Sequence, residues 1–501
     1  MKCRTTQRPA PDADTSAMDL SQAQTLSSDP VTGDAQLKIS EELLDFLYHC
    51  PTPYHTVDTV KRILLDQGYE ELHESAAWDL HKGGRYFAIR GGSSVIAFRI
   101  PKEAGCGKET TVGFMIAASH SDSPSLKVKV NPEMNGNGYI RLNVEKYGGL
   151  LMQSWFDRPL SVAGRVVVRD ENRIQSRLIC IDRDLVMIPR LAIHMDRTQN
   201  DGQKINPQND LLPIWGQEAS AGSFLTMIAG EAGCAPEDVL SHDLYLYARG
   251  RGTVWGANRE FLSAGRLDDL QCGYANLMGF LEADEYAAPE RGAGIDSTSP
   301  VSFPILAIFD NEEVGSRTRQ GADSTFLTDV LHRIGSAFSW NDDQFLAAAA
   351  NSFMLSTDNA HAVHPSFASK ADPTNRPQMN KGIVIKYSAV QKYITDAISA
   401  AVFKEICMRA GVPFQEFTNR SDMIGGSTLG NLAMAHFSIP SVDIGLPQLS
   451  MHSSYETAGV SDTAYMIRAL KTFFSSFIRH EGHAQYTLLT RLALETRYQN
   501  P

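Results

Sequence analysis

Two adjacent carboxylates, Glu312 and Glu313, stand in the run Asp310-Asn311-Glu312-Glu313-Val314-Gly315-Ser316, directly after the apolar residues 304–309. A short apolar run reads as a buried strand, so the pair sits where a strand ends. Open α/β sheets carry their chemistry at the carboxyl ends of their strands. Four further places put an oxygen or nitrogen ligand beside the end of an element. They are His120-Ser121-Asp122 after residues 112–118, Asp268-Asp269 at the start of a helical pattern, Asp358 after Phe353-Met354-Leu355, and His452 shortly after Val442-Asp443-Ile444. Two histidines and several carboxylates without cysteine suit two divalent metal ions, zinc first, with manganese or cobalt accepted by the same ligand types. One bridging carboxylate would hold such ions about 3.5–4 Å apart, the spacing of two-metal hydrolases.

The adjacent glutamates make sense in that frame. One binds metal as a carboxylate, and its neighbour stays free to take a proton from the attacking water and hand it to the leaving amine. In His120-Ser121-Asp122 the carboxylate can orient the imidazole by accepting its second ring N–H. Each piece has a plainer explanation: a satisfied turn for the His-x-Asp, a solvated loop for the glutamates, a helix cap for Asp268, a core or surface histidine for His452. Their coincidence at five element ends within one α/β pattern favours the metal reading.

The elements that must position these residues alternate. Residues 302–309, 353–356 and 441–444 read as strands, and 328–338, 393–410 and 462–477 as helices with a 3.6-residue period. Apolar strands alternating with helices imply an α/β fold, a mostly parallel central sheet with helices on both faces. A helix is expected over 39–49 with Ser40 as its N-cap, another over 57–67, and a hairpin around Gly91-Gly92. From 125 to 262 the texture changes to short alternating segments, which reads as an inserted β-rich domain. The catalytic domain would then comprise 37–124 and 263–495, after a polar, disordered tail over 1–36.

Composition narrows the setting. With 501 residues, 43% of them hydrophobic and 21% charged, the chain has ordinary globular make-up and room for more than one core. A net charge of −12 argues against a nucleic-acid partner, and no apolar stretch reaches the ~18 residues of a membrane span. Seven scattered cysteines with no Cys-x-x-Cys pair point to reduced thiols in a cytoplasmic setting.

From about residue 38 to 490 the chain resembles the aspartyl aminopeptidases, cocatalytic-zinc peptidases. The motifs that carry the likeness are Ala118-Ser119-His120-Ser121-Asp122-Ser123-Pro124, Arg266-Leu267-Asp268-Asp269, the run from Asp310 to Ser316, Ser356-Thr357-Asp358-Asn359-Ala360-His361, Asn380-Lys381-Gly382-Ile383-Val384-Ile385-Lys386 and Pro447-Gln448-Leu449-Ser450-Met451-His452-Ser453. The resemblance implies a zinc-peptidase-like fold whose inserted domain serves dimerisation, with dimers assembling into a dodecamer. It implies that His120 and Asp358 bind one ion, Glu313 and His452 the other, and Asp268 both. Glu312 would be the general base, with Asp122 orienting His120. His361 and Lys386 match substrate-contacting positions. His194 matches a histidine that enters the neighbouring subunit's site to help stabilise the oxyanion; the alternative for it is a buried structural histidine. Asp269 stands where the family often has Asn.

The implied reaction is release of N-terminal Asp or Glu from peptides. Lys386 has a rationale of its own, since an acidic side chain in a dry pocket needs a cation, although a strand-end lysine snorkelling to solvent is the ordinary alternative. A broader aminopeptidase or an N-acyl amino acid deacylase would use the same ions. A non-catalytic scaffold descended from a peptidase would be expected to lose ligands, and none is missing. The location expected is cytoplasmic, with a vacuolar one left open.

Overall fold

The computed structural model of the chain describes residues 33–104, 111–202, 204–283, 300–423 and 425–490. Its centre is a nine-stranded sheet. The order is Glu70–Leu72, Arg85–Arg90, Ser94–Arg99, Val301–Phe309, Val112–His120, Phe353–Thr357, Ser441–Gly445, Ile383–Tyr387 and Phe414–Thr418. Five of the eight pairings are parallel and three antiparallel. The strands that carry the sequence motifs, Val112–His120, Val301–Phe309, Phe353–Thr357 and Ser441–Gly445, lie side by side and parallel. Their carboxyl ends therefore emerge at one edge of the sheet.

These strands are apolar along their length because both faces are covered. In Val301–Phe309, Leu306 and Ile308 face one core, while Phe303, Ile305, Ala307 and Phe309 face the other. Helices Asp34–His49, Pro53–Asp66, Leu267–Glu282, Ala397–Ala410 and Val460–Phe474 cover the first face. Helices Phe326–Ala337, Asp342–Ala350 and Leu429–His436 cover the second. The expected α/β architecture with helices on both faces is what the chain adopts.

Two local expectations need correction. The first helix begins at Asp34 behind Gly33, not at Ser40. Leu37 and Ile39 already pack on the core, so the amphipathic pattern extends one and a half turns earlier. Ser40 is buried within the helix, and its hydroxyl donates to the Val460 carbonyl at 3.2 Å. Residues 34–36, expected in the tail, are thus helical, while 1–32 lie outside the described residues. The hairpin around Gly91-Gly92 joins Arg85–Arg90 to Ser94–Arg99 as expected.

Between Val112–His120 and Leu267–Glu282 the chain builds a second, six-stranded antiparallel sheet: Arg173–Cys180, Leu160–Asp170, Val239–Ala248, Ser125–Gly136, Tyr139–Tyr147 and Ile214–Gln217. Helix Ser223–Ala232 closes its core through Phe224 and Ile228. The insert's last strand in this sheet ends at Ala248. Strands Thr253–Trp255 and Phe261–Ala264 instead join Glu456–Gly459, Pro447–Leu449 and Ala360–His361 in a separate five-stranded sheet.

Gly445 shows how closely the central strands approach. A Cβ there would overlap the Asp358 carbonyl oxygen and lie 3.1 Å from Lys386 Cε. Gly445→Ala is expected to force those strands apart and to lower the stability of the full chain by about 1–3 kcal/mol. A urea melt with an unchanged midpoint would contradict this close packing.

Candidate metal centre

The five motifs converge. His120 is the last residue of its strand, Asp358 follows Phe353–Thr357, and Glu312 and Glu313 occupy a short 3-10 turn after Val301–Phe309, entered through Asn311 at φ 64°. Asp268 and Asp269 depart from helical dihedrals at the head of Leu267–Glu282. His452 lies on the loop between Pro447–Leu449 and Glu456–Gly459.

The Asp268 carboxylate is central. Its Oδ1 lies 3.5 Å from His120 Nε2 and its Oδ2 lies 3.3 Å from His452 Nε2. Asp358 Oδ1 stands 3.8 Å from His120 Nε2, and Glu313 Oε1 stands 3.5 Å from His452 Nε2. Glu312 Oε2 is 4.0 Å from His120 Nε2. Three overlapping groups have ligand atoms within 4.8 Å of one another: Asp268, Glu313 and His452; His120, Asp269 and Asp358; His120, Glu312 and Glu313.

The imidazoles are aimed by backbone carbonyls, which can only accept. His452 Nδ1 lies 3.1 Å from the Gly149 carbonyl. His120 Nδ1 lies 3.0 Å from the Asp122 carbonyl, and the Asp122 carboxylate is farther, at 3.4 Å. Both Nδ1 atoms therefore donate to carbonyls, which turns each Nε2 toward the carboxylates. The Asp122 carboxylate has other partners. It accepts from Glu312 N at 3.1 Å, Glu313 N at 3.2 Å and the Tyr147 hydroxyl at 2.7 Å.

This donor set fits dications. Asp268 Oδ1, Asp269 Oδ1 and Glu313 Oε1 are buried and have no hydrogen-bond partner among the described residues. Buried polar atoms are ordinarily satisfied, so three orphaned carboxylate oxygens in one place call for a cation. The electrostatics agree. Burial foremost pushes Glu312 up to about 8, with His120 pulling it back and Asp358 and Asp122 pushing further. Burial and then Asp268 raise Glu313 well above its ordinary range. Burial also lifts Asp269, with repulsion from Asp358 and Asp268 added. Burial opposes charge on His120 too, but the neighbouring carboxylates of Asp122, Asp268 and Asp358 outweigh that and raise it. Without metal, protons must neutralise the cluster; bound dications would displace them.

Glu456, which sequence reasoning missed, lies beneath the cluster. It accepts from Asp268 N at 3.1 Å and His452 N at 2.6 Å, and burial pushes its carboxyl up to about 8. Tyr147 and Gly149 were missed as well. Nothing in the spacing of the insert marks them, because their partners are far away in sequence.

Lys386 is buried, so the snorkelling alternative fails. Its Nζ lies 3.3 Å from Asp358 Oδ2. Burial would weaken its charge, yet Asp358 more than compensates and keeps it a cation. His361 is exposed on the strand Ala360–His361, in register with Gln448. His194 is also exposed in the single chain, on a turn closed by Met195 N donating to the Ala192 carbonyl at 2.8 Å, so it is not a core histidine of its own subunit. Among the described residues it takes no part in the cluster's ion pairs.

The family model described as "Aminopeptidase I zinc metalloprotease (M18)" matches residues 46–474. The chain belongs to the M18 aminopeptidase family. A "Probable M18 family aminopeptidase 2" of Clostridium acetobutylicum is 44% identical over 447 residues, covering 88% of this chain and 99% of the relative. One of Pseudomonas aeruginosa, of the same description, is 39% identical over 448 residues, covering 88% and 98%. Among solved structures, this M18 aminopeptidase is similar to a chain of the "Ape4 and Nbr1 complex" at TM-score 0.83 and 32% identity, covering 89% of this chain and 87% of that one. It is similar to the S. cerevisiae mApe1 dodecamer at TM-score 0.73 and 27% identity, covering 88% and 97%. Metal dependence and hydrolysis at peptide amino termini come with the family. Among the described residues no helix is long and apolar enough to cross a membrane.

Stripping divalent ions with a chelator is expected to lower the melting temperature of this M18 aminopeptidase, and zinc to restore it. An ion present at 100 times its dissociation constant stabilises by about 2.7 kcal/mol. Identical melts with and without chelator would mean that the cluster holds no metal.

Proposed function

We propose that this aminopeptidase releases acidic N-terminal residues, Asp or Glu, from peptides at a site holding two divalent ions, zinc foremost. The observation that carries the two-ion reading is the Asp268 carboxylate, whose two oxygens each face a different imidazole at 3.5 and 3.3 Å. In this reading His120 and Asp358 hold one ion, Glu313 and His452 the other, and Asp268 serves both. When bound, the ions supply Lewis acidity and lower the pKa of water toward about 7. Glu312 is the general base. With the dications bound its carboxyl would be ionised, free to take a proton from the attacking water and hand it to the departing nitrogen. The Asp122 carboxylate fixes the turn that presents it by accepting both the Glu312 and Glu313 amides.

The acidic preference rests on Lys386, a buried ammonium beside Asp358, with His361 on the strand Ala360–His361 of the five-stranded sheet. A specific observation favours a second reading. Lys386 already has a carboxylate partner 3.3 Å away, which suits a broader aminopeptidase, or a deacylase of N-acyl amino acids, in which the lysine positions Asp358. For assembly, a similar structure is described as a dodecamer. The exposed apolar side chains Leu191, Ile193 and Met195 flanking His194 support burial against a second copy, with His194 completing the partner's oxyanion site. Free thiols at Cys50, Cys180, Cys234, Cys272 and Cys407 support a cytoplasmic setting.

Glu312→Gln is expected to keep its metal content and lose about 10²–10⁴-fold in kcat. Wild-type turnover in that variant would remove Glu312 from the chemistry. On a panel of aminoacyl fluorogenic substrates, Asp and Glu are expected to give the highest kcat/KM. A preference for Leu or Ala would select the broader reading, and activity confined to N-acyl amino acids would select the deacylase.

A further inference from the structure

The segment that leaves the inserted sheet at the end of Tyr139–Tyr147 runs along the metal centre. His452 Nδ1 donates to the Gly149 carbonyl at 3.1 Å, and Leu151 N donates to the His452 carbonyl at 2.9 Å. Three residues on, Ser154 Oγ accepts from Ser454 N at 2.9 Å. Gly148, at φ 74°, lies against Glu313, where a Cβ would come within 3.1 Å of the Glu313 Cβ. These contacts are made by backbone or at the margin of the cluster. Tyr147 reaches inward with its side chain. Its hydroxyl donates to Asp122 Oδ2 at 2.7 Å and accepts from Asn311 Nδ2 at 2.9 Å.

We propose that Tyr147 is a positioning residue of the metal centre, the link by which the inserted sheet fixes Asp122 and the turn carrying Glu312 and Glu313. The proposal rests on the two-ion reading above. Asp122 has one carboxylate for three donors: the phenol and the amides of Glu312 and Glu313. Its own backbone carbonyl holds His120 Nδ1. A shift of Asp122 would therefore move a ligand histidine, the general base and a ligand glutamate together. The phenol ring cannot easily give way, because Tyr245 packs edge-on against it with centroids 5.5 Å apart and planes at 85°. Without the hydroxyl, Asp122 Oδ2 keeps only the Glu313 amide and Asn311 Nδ2 loses its acceptor. A buried carboxylate short of a donor is free to turn toward whatever cation is near. Partners of metal ligands at this remove typically change metal affinity or activity by about 10–100-fold.

The test uses the full chain in three forms: wild type, Tyr147→Phe, and Tyr139→Phe. Tyr139 begins the same strand at the far end and is 47% exposed, so its variant controls for the loss of a hydroxyl from the insert. Metal-free protein is titrated with Co²⁺ against a chromophoric chelator while the visible absorption of the bound ion is recorded. Wild type and Tyr139→Phe are expected to bind alike. Tyr147→Phe is expected to bind at least one ion about 10-fold or more weakly, with altered visible bands. When loaded, it should show a lower kcat at unchanged KM, and its native mass and far-UV spectrum should match wild type. Wild-type cobalt affinity, bands and kcat in Tyr147→Phe would overturn the proposal. A wild type that takes up no cobalt would instead remove the two-ion reading and this inference with it.

Discussion

Everything at the centre of this molecule depends on how a group of buried carboxylates is neutralised. Asp268, Asp269 and Glu313 each keep a buried oxygen without a hydrogen bond among the described residues. Charges of one sign brought this close in a low-dielectric interior repel strongly. Two imidazoles and one ammonium offset part of that repulsion, and the rest falls to bound protons or bound metal. Fold and chemistry are thus tied: the sheet brings together groups that are stable in company only when cations join them.

The scaffold answers this with rigidity around the cluster. The parallel strands meet at one edge, so Asp358, His120 and the Glu312–Glu313 turn arrive from adjacent positions. Glu456 staples the amides of Asp268 and His452, which come from different parts of the chain. Carbonyls from Gly149 and Asp122 fix the two ring orientations. Ligands aimed by their surroundings lose little freedom when an ion binds, which favours tight and geometrically selective binding.

Much of this was legible in the amino-acid order. Apolar runs ending in His, Asp or Glu are strong signals when both faces of a sheet are buried, because the strand has no polar residues until it leaves the core. That is why His120, Glu312, Glu313 and Asp358 could be placed, and why the helices at 326–337 and 460–474 were recognised from their periodicity. What could not be read depends on contacts between distant elements. Tyr147 ends an ordinary alternating strand, Glu456 lies in a short polar stretch, and Gly149 acts through its carbonyl, which no side-chain pattern encodes. Ser40 misled for a related reason: a serine followed by acids is a good local start signal. Yet the packing of Leu37 and Ile39 carries the helix beyond it, and the hydroxyl is used on Val460 instead.

That Ser40–Val460 hydrogen bond spans 420 positions, and helix Asp34–His49 packs directly on helix Val460–Phe474. One wall of the main core is therefore missing until the later helix has left the ribosome. His120 and Asp122 are made early but must wait for His452 before their pocket can close. The half that carries the cluster must wait for Val460–Phe474 to be made, while the inserted sheet, whose strands all lie between Ser125 and Ala248, has its partners within reach much sooner. A nascent chain stalled in between would carry a finished insert beside an open, acid-lined sheet edge.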